Sequence, residues 1–307
     1  MLHFILRRVV FIVGVSFGIV FFAFFGMKMA ANSTSDSAGP HVIPTAQAAF
    51  EEAVTYVSGL PGGNWGVVAV RGGRYTRQVA VRDMLADAYP KSMGLLFISL
   101  LVASLIGIPL GVAAAVRRHS PLSLGTMTAT LLGISLPSFT VAALLQIAEI
   151  YWYRTFGFRL VPVGGFGWDT HLVIPTLVLA ARPVAHLARI AFMAFSDVLE
   201  QDYMRTAHAK GLYQRLVMRV HAYPNAAVPL LTGLGVSLRF SLGSLPVVEY
   251  FLGWPGIGAA LLAAISNRQA TAVAGLSLAL GLTFMLVNLL IDILYRYFDP
   301  RVRAQQI

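Results

Sequence analysis

Residues 196–229 read SDVLEQDYMRTAHAKGLYQRLVMRVHAYPNAAVP. The stretch is polar and basic, and it lies between two long apolar runs. A chain that only had to reverse direction at a membrane surface would use a short turn. Ser196 or Asp197 can cap a helix, with Glu200 three residues after Asp197 completing a capping box. Leu199, Tyr203, Thr206/Ala207 and Lys210 then share a face, and Gly211 suits the left-handed residue just past a helix end. A second helix runs from about Tyr213, and Tyr223-Pro224 is expected to end it. The unit is helix, glycine turn, helix. The small residues Thr206, Ala207 and Ala209 are expected on the open part of the first helix, where another protein's backbone can approach closely. The competing reading is a basic helix lying on lipid headgroups.

The surroundings decide what kind of chain carries this hairpin. Of 307 residues, 57% are hydrophobic and only 12% charged, with a mean hydropathy of +0.72. A soluble domain carries about 25% charged residues. This is an integral membrane protein. There is no cysteine, so no disulfide or thiolate metal site exists. The net charge of +10 would suggest nucleic acid in a soluble protein. Here the arginines gather mostly at the ends of apolar runs, which is topological charge and not nucleic-acid binding.

A hydrocarbon core of about 30 Å needs roughly 20 helical residues. Six segments qualify, near Phe4–Met27, Ser92–Val116, Gly125–Ile150, Leu172–Phe195, Ala226–Phe251 and Ala270–Tyr297. The first is too long for the apolar region of a signal peptide, about 7–15 residues, and is expected to be retained. Arg7 and Arg8, Arg117 and Arg118, the group Arg205, Lys210, Arg215 and Arg219, and the group Arg296, Arg301 and Arg303 all fall on one side if both termini are cytoplasmic. The hairpin is then cytoplasmic. The expected organisation is a first transmembrane helix over 1–27, an extracytoplasmic segment over 28–91, a five-helix membrane core over 92–303 containing the 196–224 loop, and a tail over 304–307. Within the extracytoplasmic segment, residues 32–45 read as a linker, AQAAFEEAVTYVSGL as a helix, and the region around Gly72-Gly73 as a hairpin.

The chain carries no enzymatic signature of its own. A phosphate-cradling G-x-x-x-x-G-K-[ST] loop needs a lysine in context, and none of the three lysines, Lys28, Lys91 and Lys210, has it. Gly133-Ile134-Ser135-Leu136-Pro137 lacks the last glycine of a nucleophile elbow and reads as a kink at Pro137. His186, His208 and His221 lack metal-ligand spacing.

Some polar residues lie at membrane depth. Arg182 sits inside the fourth span, where a charge costs about 2.5–3.5 kcal/mol on insertion scales. It is expected to face the bundle or a wet cavity, with Glu149, Glu249 and Asp292 as candidate partners, as a structural ion pair or as part of a pathway. His186 follows at i+4 and shares that ambiguity. The fifth span is the most polar, with Ser237, Arg239, Ser241 and Ser244 in its second half. Gly107 with Gly111, and Gly14 with Gly18, read as packing contacts. Trp254-Pro255-Gly256 breaks the chain, and residues 257–265 form a short apolar helix, either near a pore or anchored at the interface by Trp254.

Arg205-Thr206-Ala207-x-x-x-Gly211 followed by Pro224 resembles the Glu-Ala-Ala loop of ABC importer membrane subunits: Glu-Ala-Ala, three residues, Gly, nine residues, then Ile-x-Leu-Pro. Arg205 and Thr206 replace the common Glu and first Ala, the form typical of the dipeptide/oligopeptide/nickel permease branch. His221 and Tyr223 depart from the Ile and Leu positions. SLIGIPLGVAAAVRR, ISLPSF, QDYMRTAHAKGL, VVEYFLGWPGIGAALLAAI and LVNLLIDILYRYFDPRVR are similar to the same branch and stand in its order. The resemblance runs from about Trp65 to Arg303. It implies an all-α polytopic fold of six transmembrane helices, the type I ABC importer permease fold, with a small extracytoplasmic segment between spans one and two. It implies a pore-forming subunit in the cytoplasmic membrane that moves peptides or a related small solute. The implied partners are a second related permease, two cytosolic ABC ATPases and an extracytoplasmic substrate-binding protein. ATP and Mg would sit on the ATPases, with no cofactor on this chain. Tyr203, Arg205, Thr206, Ala207, Lys210, Gly211 and Pro224 would couple to the ATPases. Ser237 to Ser244, with Arg239, would line the pathway, and Trp254, Pro255 and Gly256 would lie near the pore on the outer side. The alternative is a self-sufficient ion-coupled carrier, which needs inverted repeats and buried acidic sites.

Overall fold

The structure, a computed structural model, describes residues 2–32, 42–72 and 75–298. Apolar runs of spanning length dictate its long helices: α1 (Leu2–Asn32), α3 (Val81–Val116), α6 (Val173–Leu199), α9 (Tyr223–Leu252) and α11 (Ala270–Phe298). Among the described residues, five helices are long and apolar enough to cross a membrane. The remaining predicted span, 125–150, is a pair, α4 (Pro121–Ser135) and α5 (Ser138–Phe156), bent by 107°. The cause is local. A residue before proline is pushed out of the helical region, and Leu136 sits at φ −75°, ψ 128° ahead of Pro137. The expected kink is thus a full corner. Shorter elements complete the chain: α2 (Val42–Gly59), β1 (Val67–Gly72), β2 (Tyr75–Ala80), α7 (Asp202–Ala209), α8 (Gln214–Val217) and α10 (Ile257–Ser266).

The chain divides into two compact units, 1–92 with 255–289, and 93–254 with 290–307. In the first, Val20 and Phe24 of α1 pack with Ala49 and Ala53 of α2 and Ala274 and Leu278 of α11. The hairpin expected at Gly72-Gly73 is present, with β1 antiparallel to β2 and Val67 opposite Ala80. The helix expected over AQAAFEEAVTYVSGL is α2. Tyr56 on it donates to the Trp65 carbonyl at 3.2 Å, and burial pushes its hydroxyl up to about 12, so it remains a donor. Ile257 N–H at the start of α10 donates to the buried Ser92 Oγ at 2.8 Å.

Several boundaries differ from expectation. Asn32 ends α1 and Val42 opens α2, so both ends of the linker expected over 32–45 are helical; residues 33–41 lie outside the described residues, as do Gly73, Arg301, Arg303 and the tail 304–307. The helix that carries the second span begins at Val81, ahead of Ser92, because Pro90 does not interrupt it. At 36 residues, α3 is about 54 Å long, well beyond a hydrocarbon core.

In the second unit α6 is central and packs on α4, α5 and α9. Close approach explains the glycines facing it. A Cβ on Gly107 would lie 2.6 Å from the Val184 carbonyl oxygen, and one on Gly111 2.2 Å from that of Ala188. These two are packing contacts, as expected. Gly14 and Gly18 are not, among the described residues: a Cβ on either meets nothing within 4 Å.

Candidate functional site

The hairpin forms differently from its sequence reading. Ser196 and Asp197 do not cap a new helix, because α6 continues to Leu199 while burying Phe195 and Ser196. Glu200 is instead its C-cap, and its carboxylate pairs with Arg118. Gln201 turns extended, at φ −69° and ψ 147°, and α7 starts after it. Lys210 closes α7, and Gly211 takes the left-handed conformation at φ 77°. Gly211 N–H donates to the His208 carbonyl at 2.9 Å and Leu212 N–H to the Ala207 carbonyl at 3.3 Å. This pair of bonds is a Schellman motif, which requires a left-handed residue at its centre.

Met204, 1% exposed, and Ala207 dock into a core formed by Val112, Ala115, Ala191, Phe195, Val217 and Ala222. Ala207, expected on the open small-residue face, faces inward instead, because Leu212 and Val217 after the turn fold back toward it. Tyr203, 42% exposed, is left on the outer surface with Arg205, Thr206, Ala209 and Lys210. Pro224 does not end the second helix. A wide turn over 218–222, with Tyr223 N–H bonded to the Met218 carbonyl, joins α8 directly to α9. Proline lacks an N–H and clashes with a helical carbonyl four residues back, and a π-turn just before it relieves that conflict. Residues 214–252 therefore run as one continuous helical rod.

His208, which sequence spacing does not single out, clips the two arms together. Its Nδ1 lies 2.8 Å from the Met204 carbonyl oxygen and its Nε2 2.8 Å from Gln214 Oε1. Two acceptors favour the doubly protonated ring, and the bonds to Gln214 and Met204 raise its pKa above the usual histidine value. With the folded value raised, the stabilisation is fully present below the unfolded value and is lost as pH rises through the folded one. Amide exchange at Gly211 and Leu212, corrected for intrinsic rate, should therefore be slower at pH 5.5 than at pH 8 by about threefold or more, a modest effect for an exposed clip. In His208→Ala that difference should vanish. A pH effect persisting in the variant would sink the clip.

Of the polar residues expected at membrane depth, Arg182, His186, Ser237, Ser241 and Ser244 meet where α6 crosses α9, while Arg239 falls on the other side of α9. Arg182 stacks on Phe240, its guanidinium carbon 4.3 Å from the ring centroid. His186 Nδ1 lies 3.1 Å from Ser237 Oγ. Arg182, Phe240, Ser241 and Ser244 line a small pocket of about 20 Å³ with Leu136, Ser138 and Pro183. Among the described residues, Ser241 Oγ and Arg239 Nε are buried without a hydrogen-bond partner. Arg182 does not pair with Glu149, a candidate partner by sequence. Glu149 is 6% exposed and accepts the N–H groups of Leu160 and Val161, at 2.9 and 3.4 Å. Arg189 is missing from the sequence-based candidates, although its spacing of seven from Arg182 places both on one face.

Trp254 is 0% exposed and packs edge-on against Phe166 at 4.9 Å and Trp168 at 5.6 Å. It is a buried wedge after α9 and not an interfacial anchor. Pro255 is exposed, while Gly256 and Ile257 are buried.

Comparison with known proteins bears on this arrangement. Residues 107–304, which contain the α6–α9 crossing and the hairpin, match the family described as binding-protein-dependent transport system inner membrane component. The chain belongs to this family. Among its relatives is a protein of Brucella abortus named as a candidate peptide transport system permease, 35% identical over 73% of this chain and 72% of that one. Another is the glutathione transport system permease protein GsiC of Escherichia coli, 34% identical over 81% of this chain and 78% of that one. The fold matches a chain of the MetNI methionine ABC transporter in an inward-facing conformation, with a TM-score of 0.54 and 16% identity, covering 70% of this chain and 96% of that one. This permease is therefore a multi-pass membrane subunit of an ABC importer with the type I fold. A transport subunit of this family works with ATPase and substrate-binding partners. The ion-coupled carrier reading finds no support.

Proposed function

We propose that this permease forms half of the pore of an ATP-driven importer for small peptides, including peptides of the size of glutathione. The observation that carries the reading is the hairpin: a Schellman turn at Gly211 fixes α7 so that Tyr203, Arg205, Thr206 and Lys210 face outward, while the second arm runs unbroken into α9. Ala207 holds that geometry from within, and Pro224 follows the wide turn that joins the second arm to α9. Two cytosolic ATPases would carry ATP and Mg, and closure on nucleotide would press α7 toward its counterpart on a second, related permease. The 214–252 rod would carry that displacement to Ser237, Ser241 and Ser244. Arg182 and Arg239 belong to the same pathway, and Trp254, Pro255 and Gly256 lie at its outer end, where a binding protein delivers the solute. In this reading both termini are cytoplasmic, residues 1–27 form the first crossing, 28–91 lie outside, 92–303 form the core with its 196–224 coupling loop, and 304–307 are a tail. The chain itself hydrolyses nothing.

The test is mild-detergent purification of the tagged permease from its native host with mass spectrometry of what accompanies it. Two P-loop ATPases and a related permease are the expected companions. A chain that purifies alone and transports in liposomes without ATP would overturn the proposal.

A further inference from the structure

Beyond Leu177, α6 is buried by its neighbours on every side but one, while Val173 and Leu177 in its first turns are exposed on the opposite side. Its described exposed residues beyond Leu177 are Arg182, Arg189, Met193 and Asp197, with His186 part-exposed between the two arginines. Spacings of seven, eleven and fifteen from Arg182 keep all of them on one stripe along the helix. A central membrane helix would be expected to show lipid an apolar stripe. This one shows two guanidinium groups about 10 Å apart along the axis. A charge at that depth must face water or a polar surface, not hydrocarbon.

The surroundings of Arg182 are built to receive something. Phe240 covers the flat face of the guanidinium at 4.3 Å, which leaves the N–H edges open, and those edges match a carboxylate in two parallel bonds. Beside it, Ser241 is 1% exposed with its hydroxyl oxygen unpartnered, and it lines with Arg182 and Ser244 a pocket of about 20 Å³. That is room for about one water or one solute oxygen. Arginine, hydroxyl and small void together are an acceptor-binding set. The candidate acid Glu149 already accepts two backbone N–H groups and leaves the arginine to other partners.

We infer that the open stripe of α6 is an anion-selective surface, on which Arg182 and then Arg189 hold the carboxylate of the solute as it crosses. The inference rests on the pathway reading above and adds to it the charge of what passes. Phe240 is the positioning residue for Arg182, and Arg189 is the second station.

The absence of native cysteine provides the test. In the assembled transporter in membrane vesicles, Ser244→Cys places one thiol of this chain beside Arg182. Its modification rate is measured with sulfonatoethyl methanethiosulfonate, which is anionic, and with trimethylammonioethyl methanethiosulfonate, which is cationic. Both reagents should react, with an anionic-to-cationic rate ratio above that of a small free thiol in solution. Arg182→Gln in that background should lower the anionic-to-cationic rate ratio by about tenfold. Arg189→Gln should lower it less, and Arg182→Lys should preserve it. A thiol inert to both reagents, because lipid or the partner permease seals the stripe, would overturn the inference. So would a ratio indifferent to either arginine. The ratio is read on this chain whether or not ATPases accompany it, so failure of the importer reading shows up separately, as a missing ATPase.

Discussion

Valine at Gly211 should leave the permease in the membrane at near-normal amount and reduce solute uptake by about tenfold or more. Gly211 holds φ 77°, and a Cβ built on it meets nothing within 4 Å. The substitution is therefore not a steric clash with neighbours but a backbone cost. The left-handed region costs an L-residue about 1–2 kcal/mol, with β-branched side chains among the least tolerant. Opening the turn breaks the bonds from Gly211 and Leu212 to the His208 and Ala207 carbonyls, and α7 loses its fixed angle to the 214–252 rod. ATP hydrolysis by the associated ATPases should continue, no longer matched by import. Gly211→Asn is the control, since asparagine visits this conformation readily, and it should retain about half of wild-type uptake or more. Wild-type uptake by the valine variant would end the assignment of the turn as a coupling element.

Leucine at Gly111 should act on the opposite quantity. Here a Cβ would lie 2.2 Å from the Ala188 carbonyl oxygen and 2.6 Å from Ala191 Cβ. Backbone cannot yield as a flexible side chain can, so α3 must move away from α6. Overpacking of this kind costs about 1–3 kcal/mol for a single methylene and more for a whole side chain. The amount of heat-stable, membrane-inserted permease should fall by about tenfold, measured by thermal aggregation of detergent extracts followed by blotting. Gly14→Leu, on a helix face with open space around it, should stay within about twofold of wild type. Equal loss from both would mean that any leucine in these helices is harmful, and the close approach of α3 to α6 would explain nothing.

The contrast between these positions shows what a sequence can convey. Apolar length locates the membrane helices, because a continuous apolar run of about 20 residues is hard to bury anywhere but in a bilayer. The glycine turn at 211 and the break at Pro137 are legible because left-handed and pre-proline backbones have few occupants. The size of the angle at Pro137 is not, since a pre-proline residue only has to leave the helical region and α4 and α5 both pack on α6. Ser196, Asp197 and Glu200 carry the letters of a helix start, yet burial of Phe195 and Ser196 draws α6 straight through them. The proline rule misjudges Pro224 because it takes no account of a π-turn. The partner of Arg182 is beyond reach on different grounds. Nothing linear announces that Glu149 is satisfied by the amides of 160 and 161, or that an aromatic ring waits at 240.

The π-turn at 218–222 also sets a rotational phase. It adds one residue to a helical turn, and each residue of an α-helix advances by about 100°. Everything beyond it is therefore turned by about that angle from where an uninterrupted helix starting at Gln214 would place it. Ser237 meets His186 and Phe240 meets Arg182 only in this phase. A helix rewound by one residue would still be the right length to cross the bilayer, but its serines would be swung away from α6. The five residues between the hairpin and the span act as an indexing collar, fixing the angle at which α9 presents Ser237 and Phe240 to α6.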